Sequence, residues 1–234
     1  MAKAKPIDPA QLKRFAPAAQ KRKTREIKAL FLIVCEGSKT EPNYFKSFPK
    51  QSGNILYVVE IEGTGMNTTK VVDRAIEKKT KDTGKYDRIW AVFDCDSFPA
   101  KHFNGAIEKA EAHGIRCAWS NEAFELWYVL HFENRQTPMG REAYKKTIEN
   151  AINAKNKKLN FRYQKNSKEM FALLKKYGNL DQAIKWARDL AMEHKDKRYA
   201  NHNPSTRVHE LVEELLGQSE ALARELEEKH AKGE

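Results

Sequence analysis

The chain has little of what marks secreted, membrane-embedded or zinc-dependent proteins. Its three cysteines, Cys35, Cys95 and Cys117, are odd in number and show no CxxC or Cys/His spacing, so neither a disulfide framework nor a structural zinc site is expected. Each lies in or beside an apolar strand pattern and is read as a small core residue. No stretch approaches the ~18 uninterrupted apolar residues of a membrane span; the run ALFLIVC, Ala29 to Cys35, is far too short. The early lysines are not followed by the apolar segment of a secretory signal. Together these absences point to a soluble, cytoplasmic protein with no membrane partner. The earlier glycine of GxxxxGK[ST] is also missing before Gly37-Ser38-Lys39-Thr40, so ATP binding by this chain is not expected. There is no internal repeat.

What is present is positive charge, unevenly spread. The net charge is +11, yet residues 1–28 hold nine Lys or Arg against Asp8 and Glu26, a net +7 that leaves +4 for the rest. With Pro6, Pro9 and Pro17, this basic arm reads as extended and flexible, with a short helix near Pro9 to Phe15. It suits DNA or RNA through phosphate contacts, with Lys21, Arg22, Lys23 and Arg25 as candidates. A merely solvating tail accounts for it equally well.

The fold starts abruptly at Ala29. Ala29 to Cys35 is a continuous apolar run rich in branched residues, as a strand covered on both faces requires, and Ile55 to Ile61, Arg88 to Phe93 and Ile115 to Ser120 read as the next three strands. Helical signals alternate with them. Gly37 breaks the first strand, Ser38 or Thr40 can cap, and Thr40 to Ser47 follows as a helix; Asn67 or Thr68 caps the next, and His102 to His113 ends at Gly114. This alternation predicts an α/β fold with a mostly parallel sheet flanked by helices and a site at the carboxyl ends of the strands.

Beyond residue 123 the pattern is helical: Ala123 to Phe132, Arg141 to Ala154, Ser167 to Tyr177, Leu180 to Glu193, Pro204 to Leu216 and Ser219 to Lys232. The expected organisation is an arm over residues 1–28, an α/β core over 29–135 and a helical C-terminal appendage over 136–234 that packs on the core. Its last ~15 residues read as loosely attached.

The acidic residues fall where a site is expected. Glu36 follows the first strand, Asp94 and Asp96 the third, and Glu122 and Glu125 the fourth. In an extended tip the alternate residues of D-x-D point the same way, so both aspartates aim at one point. Mg²⁺ takes hard oxygen ligands at about 2.1 Å and keeps several waters, so carboxylates from neighbouring strand ends make a suitable partial cage. Mn²⁺ is a workable substitute. Without a cation, crowded carboxylates repel and their pKa values rise. Glu41, in a first helical turn, is a candidate ligand or simply a partner of the helix dipole. Glu125 stands on an apolar face where a carboxylate needs a partner, and Glu122 is a ligand or a capping residue. Lys39 is a candidate phosphate contact and Lys165 a candidate cation for transition-state charge. His131, Trp119, Trp127 and Tyr128 are read as core.

Three stretches, Ile33 to Phe45 (IVCEGSKTEPNYF), Val92 to Phe98 (VFDCDSF) and Ser120 to Phe132 (SNEAFELWYVLHF), together resemble the RloB family across residues 29 to 216. The resemblance implies a Toprim-like, Rossmann-like core with Glu36 as the first-strand carboxylate, as metal ligand or general acid/base, and Asp94 and Asp96 as the D-x-D pair. Glu41, Glu122 and Glu125 become candidates for a second metal. It also implies a place in bacterial restriction or abortive-infection systems beside an AAA- or ABC-type ATPase. A Mg²⁺-dependent nuclease acting on DNA or RNA, tRNA included, is the leading expectation. A non-catalytic module that binds nucleic acid or regulates the ATPase is the alternative, and a D-x-D phosphatase the least favoured. Self-association is left open.

Overall fold

A computed structural model of the chain describes residues 26–52, 55–65, 67–96 and 99–231. The arm's candidate contacts Lys21, Arg22, Lys23 and Arg25, and the expected helix at Pro9 to Phe15, lie outside the described residues.

Four of the strands run parallel: β1 (Ile27–Cys35), β3 (Ile55–Gly63), β4 (Arg88–Asp94) and β5 (Arg116–Asn121). Two short strands, β2 (Gln51–Ser52) and β6 (Ser205–Thr206), add antiparallel at the edges to give the order β2-β3-β1-β4-β5-β6. Between the parallel strands lie α1 (Thr40–Phe45), α2 (Thr68–Lys81) and α3 (Ala100–Ala112). Asn67 caps α2 by accepting from the N–H of Lys70 at 3.2 Å.

Residues alternate across the sheet because the side-chain period of a strand is two. Phe31, Ile33 and Cys35 face one layer, while Leu32 and Val34 face the other, and all five are fully buried. The second layer is α2 and α3, through Val71, Val72 and Ala75 and through Phe103, Ala106 and Ile107. The first is built on α1 and the C-terminal helices: α4 (Glu125–Val129), α5 (Arg141–Lys155), α6 (Met170–Tyr177), α7 (Leu180–Met192), α8 (Val208–Leu215) and α9 (Glu220–Ala231). The C-terminal helices thus share one continuous apolar cluster with the sheet. Among the described residues no helix is long and apolar enough to cross a membrane.

Besides the edge strand β2, which the sequence pattern does not show, two elements differ from it. The segment Ala123 to Phe132 is α-helical only over Glu125–Val129, and i to i−3 bonds take over on both sides, as in Leu126 N–H to Ala123 O and Phe132 N–H to Val129 O. Residues 123–131 are all buried, so packing on every side, rather than one apolar stripe, shapes the segment. Nor do Ser205 and Thr206 begin a helix. They pair with Asn121 and Ser120, and the Ser120 and Thr206 hydroxyls bond at 2.9 Å. A two-residue edge strand carries no periodicity for a sequence reading to detect.

Candidate metal centre

The chain leaves β1 in one direction, to β3, and leaves β4 in the other, to β5. Between β1 and β4 the helices switch faces, and such a switch point opens a crevice at the carboxyl ends of the two strands. Glu36 and Asp94 lie there. The N–H of Glu36 donates to Val92 O at 2.8 Å, carrying the β1–β4 ladder beyond Cys35, and Glu36 Oε2 accepts from the N–H of Asp94 at 3.0 Å.

After Asp94 the strand turns rather than extends. Cys95 N–H donates to Ser120 O at 2.8 Å and Asp96 N–H to Glu122 O at 3.2 Å, with Asp96 in the left-handed region at φ +43°. Aspartate tolerates that region better than most residues. The two aspartates therefore meet through a turn, not along the extended tip expected from D-x-D. Arg141 holds them: its Nη2 donates to Asp94 Oδ2 at 3.3 Å and also to Asp96 Oδ1.

Three further carboxylates surround this pair. Glu41, from the first turn of α1, is only 5% exposed, and its Oε2 is buried without a hydrogen-bond partner. Gly37 permits that placement, because a Cβ there would lie 2.1 Å from Glu41 Oε2. Glu125, at the start of α4, is buried and accepts from the Tyr163 hydroxyl at 3.0 Å. Glu122 is half-buried, and its field reaches Arg141 and Cys95.

The lysines are disposed differently. Lys39 and Lys165 are both exposed. Lys165 borders the cluster through its backbone, whose carbonyl accepts from the Thr40 hydroxyl at 2.5 Å, and its charge offsets that of Glu41. With Thr40 so engaged, neither Thr40 nor Ser38 caps α1; Lys39 precedes the helix without a capping bond.

The electrostatics follow from burial and crowding. Desolvation holds the Asp94 carboxyl well above the usual range, reinforced by Glu41, Glu125, Asp96 and Glu36. Burial pushes Glu36 up to about 7, with Asp96 and Glu41 adding to the rise and the Asp94 N–H bond and Arg141 opposing it. Glu41 is raised by burial and then by Glu125.

As the side chains stand, no three His, Cys, Asp or Glu among the described residues are arranged to hold an ion. The donor chemistry nonetheless suits a hard cation: every group is a carboxylate, one buried oxygen is unpartnered, and among the described residues the only cation bonded to the aspartates is a guanidinium.

Residues 31–215 match the family described as RloB-like protein. The chain belongs to that family. No curated protein and no solved structure matches it. The RloB-like match runs from β1 through α8 and so takes in every carboxylate of the crevice, together with Arg141 and Tyr163.

Those last two residues escaped the sequence reading. Arg141 did leave a signal in this RloB-like chain: it is the first residue of α5, the helix end where the dipole disfavours a cation, so it needs an acidic partner. Tyr163, in a segment without periodicity, left none. His131, Trp119, Trp127 and Tyr128 are buried in the apolar clusters; His131 Nδ1 meets Trp127 O at 2.9 Å and Trp127 Nε1 donates to the Tyr44 hydroxyl at 2.7 Å. Cys35 and Cys95 are buried and Cys117 half-buried, all as free thiols.

Proposed function

We propose that this RloB-like chain is a Mg²⁺-dependent endonuclease of Toprim type, able to use Mn²⁺, that hydrolyses phosphodiester bonds in DNA or RNA, tRNA among them. The observation that carries the reading is the meeting of Glu36, Asp94 and Asp96 at the switch point of the sheet, with Glu41 and Glu125 behind them. The parallel order β3-β1-β4-β5, a glutamate after the first strand and D-x-D after the third support the Toprim assignment. As an effector in antiphage or abortive-infection defence it would work with an AAA- or ABC-type ATPase; that part rests on the family resemblance.

Glu36, Asp94 and Asp96 would hold the ion, with Glu41, Glu122 and Glu125 as further oxygens. A bound divalent ion supplies phosphate charge neutralisation and a water of lowered pKa. The chain's own groups have separate tasks. Glu36 would act either as a ligand, its carboxylate then held ionised by the cation, or as a general acid or base beside it. Arg141, freed from the aspartates, is a bidentate donor to a phosphate, and Lys165 and Lys39 add positive charge at the rim.

The test is incubation of the purified chain with plasmid DNA and total tRNA, in Mg²⁺ or Mn²⁺ and then in chelator, alone and with the ATPase. Cleavage is expected to fall by at least about a hundredfold in Glu36→Gln and Asp94→Asn. The Arg141 bridge favours a second reading, in which the carboxylates are structural and the chain only binds nucleic acid or regulates the ATPase. Nicking or phage protection that survives both substitutions in a folded protein would establish that one. An aspartyl phosphate trapped on Asp94 would instead point to a D-x-D phosphatase.

A further inference from the structure

A second concentration of positive charge lies outside the arm. Residues 141–176 contain eleven Lys or Arg against Glu142, Glu149 and Glu169, a net +8, so the chain outside this stretch and residues 1–28 has a net −4. On the α2–α3 layer about half of the basic groups are in ion pairs, Arg74 with Glu62 and Glu77, Lys78 and Lys85 with Glu60, and Lys109 with Asp73. Within 141–176 the ion pairs among the described residues are those of Arg141, of Lys145 with Glu142 and of Arg162 with Glu149. Lys146, Lys155, Lys157, Lys158, Lys165 and Lys168 are exposed and outside any of them. Lys155, Lys157 and Lys158 follow one another closely at the end of α5; like charges so placed repel, and the repulsion is relieved when a polyanion is bound.

The same stretch is fastened to the acidic crevice. Arg141 reaches Asp94 and Asp96, Tyr163 donates to Glu125, Lys165 O accepts from Thr40, and Asn166 O accepts from Asn43 Nδ2 at 3.0 Å. Behind it lies a cleft of about 540 Å³ lined by Phe132, Lys155, Tyr177, Gln182 and Trp186 among others. The Tyr177 ring is held in place, its hydroxyl accepting from Asn156 Nδ2 at 3.1 Å and Lys176 lying over its face at 5.2 Å. Half-buried aromatic rings, an amide and a lysine in one cleft suit a base: rings to stack on, an amide for its edge, a cation for the neighbouring phosphate. Bases inside a duplex are already stacked and paired, and cannot enter without being extruded.

We propose that residues 141–176 form a track for single-stranded nucleic acid that leads to the acidic crevice, with one unstacked base seated in the Tyr177–Trp186 cleft. The proposal deepens the nuclease reading and rests on it for the identity of the polyanion. The experiment is fluorescence anisotropy of the full chain, arm included, with short labelled single-stranded RNA, single-stranded DNA and duplex DNA. It is run in chelator, so that binding is measured without cleavage. Single strands are expected to bind more tightly than duplex, and the RNA and DNA arms show which sugar is preferred. Lys155→Glu combined with Lys157→Glu and Lys158→Glu should weaken single-strand binding about tenfold or more and reduce the log–log salt slope by about 2. The matched reversal of Lys70, Lys79 and Lys81 on the opposite layer, exposed lysines likewise outside any ion pair among the described residues, should change it by less than about twofold. Trp186→Ala should cost about fivefold on single strands alone, with Trp186→Phe restoring it. Equal losses from both reversals, or duplex binding tighter than single-strand binding, would overturn the track. A chain that binds as described but never cuts overturns the nuclease reading alone, and one that cuts while its binding ignores the track reversal overturns the track alone.

Discussion

Arg141 Nη2 lies 3.3 Å from Asp94 Oδ2, and the same nitrogen also donates to Asp96. A guanidinium thus stands against the two aspartates that a divalent ion would engage. Asp94 is desolvated and surrounded by Glu41, Glu125, Asp96 and Glu36, so some cation is needed to keep the group charged.

If Arg141 and the ion compete for the aspartates, Arg141→Ala should bind Mn²⁺ about tenfold more tightly than the natural chain, because no guanidinium has to be displaced. Calorimetric titration of the dialysed protein measures this. Unchanged affinity would mean that the two cations occupy separate places.

Gly37 tests the role of Glu41. A methyl group there would meet Glu41 Oε2 at 2.1 Å, and the carboxylate is too buried to move freely. Gly37→Ala should therefore weaken Mn²⁺ binding while shifting the melting temperature by only a few degrees. Glu41→Gln should match its effect on the ion, and a normal titration in both variants removes Glu41 from the ligand set.

At the opposite ends of the strands, Glu214 of α8 is 2% exposed; it accepts from Trp90 Nε1 at 2.9 Å and pairs with Arg88 at 3.0 Å. Replacing it by alanine strands a largely buried guanidinium, although Glu225 still reaches Arg88 at 2.6 Å. Glu214→Ala should cost about 3 kcal/mol in urea denaturation, whereas Glu225→Ala, which removes an exposed partner, should cost under about 1 kcal/mol.

Two buried histidines set an acid limit. Burial lowers the pKa of both His131 and His209 to about 4, from an ordinary 6.5. Between those values the unfolded chain binds more protons than the folded one, so stability falls as pH drops from about 6.5 to about 4 and is fully present above 6.5. His131 accounts for roughly 3 kcal/mol of that loss at most. Melting temperatures of the natural chain and of His131→Gln across this window should converge towards acid pH. Parallel curves would mean that His131 does not titrate as described.

Much of the layout was legible because it depends on short-range patterns. ALFLIVC, RIWAVF and the helical intervals between them set the four parallel strands and the strand ends at which the carboxylates appear, but not the two edge strands. The Asp94–Asp96 geometry was harder, since a left-handed turn at Asp96 leaves no mark in composition. Ser205 and Thr206 were unreadable as a strand because their pairing with β5 spans some eighty residues and involves only two positions.

By itself, the order of residues determined that Glu36, Asp94 and Asp96 stand at the ends of buried parallel strands, because apolar periodicity is local and strand ends follow from it. Only the folded chain decided which side chains close the site. Arg141, Tyr163 and the carbonyl of Lys165 arrive from a region 45 or more positions beyond Asp96, and such long-range contacts arise from packing several helices onto one face of the sheet, which no local pattern encodes.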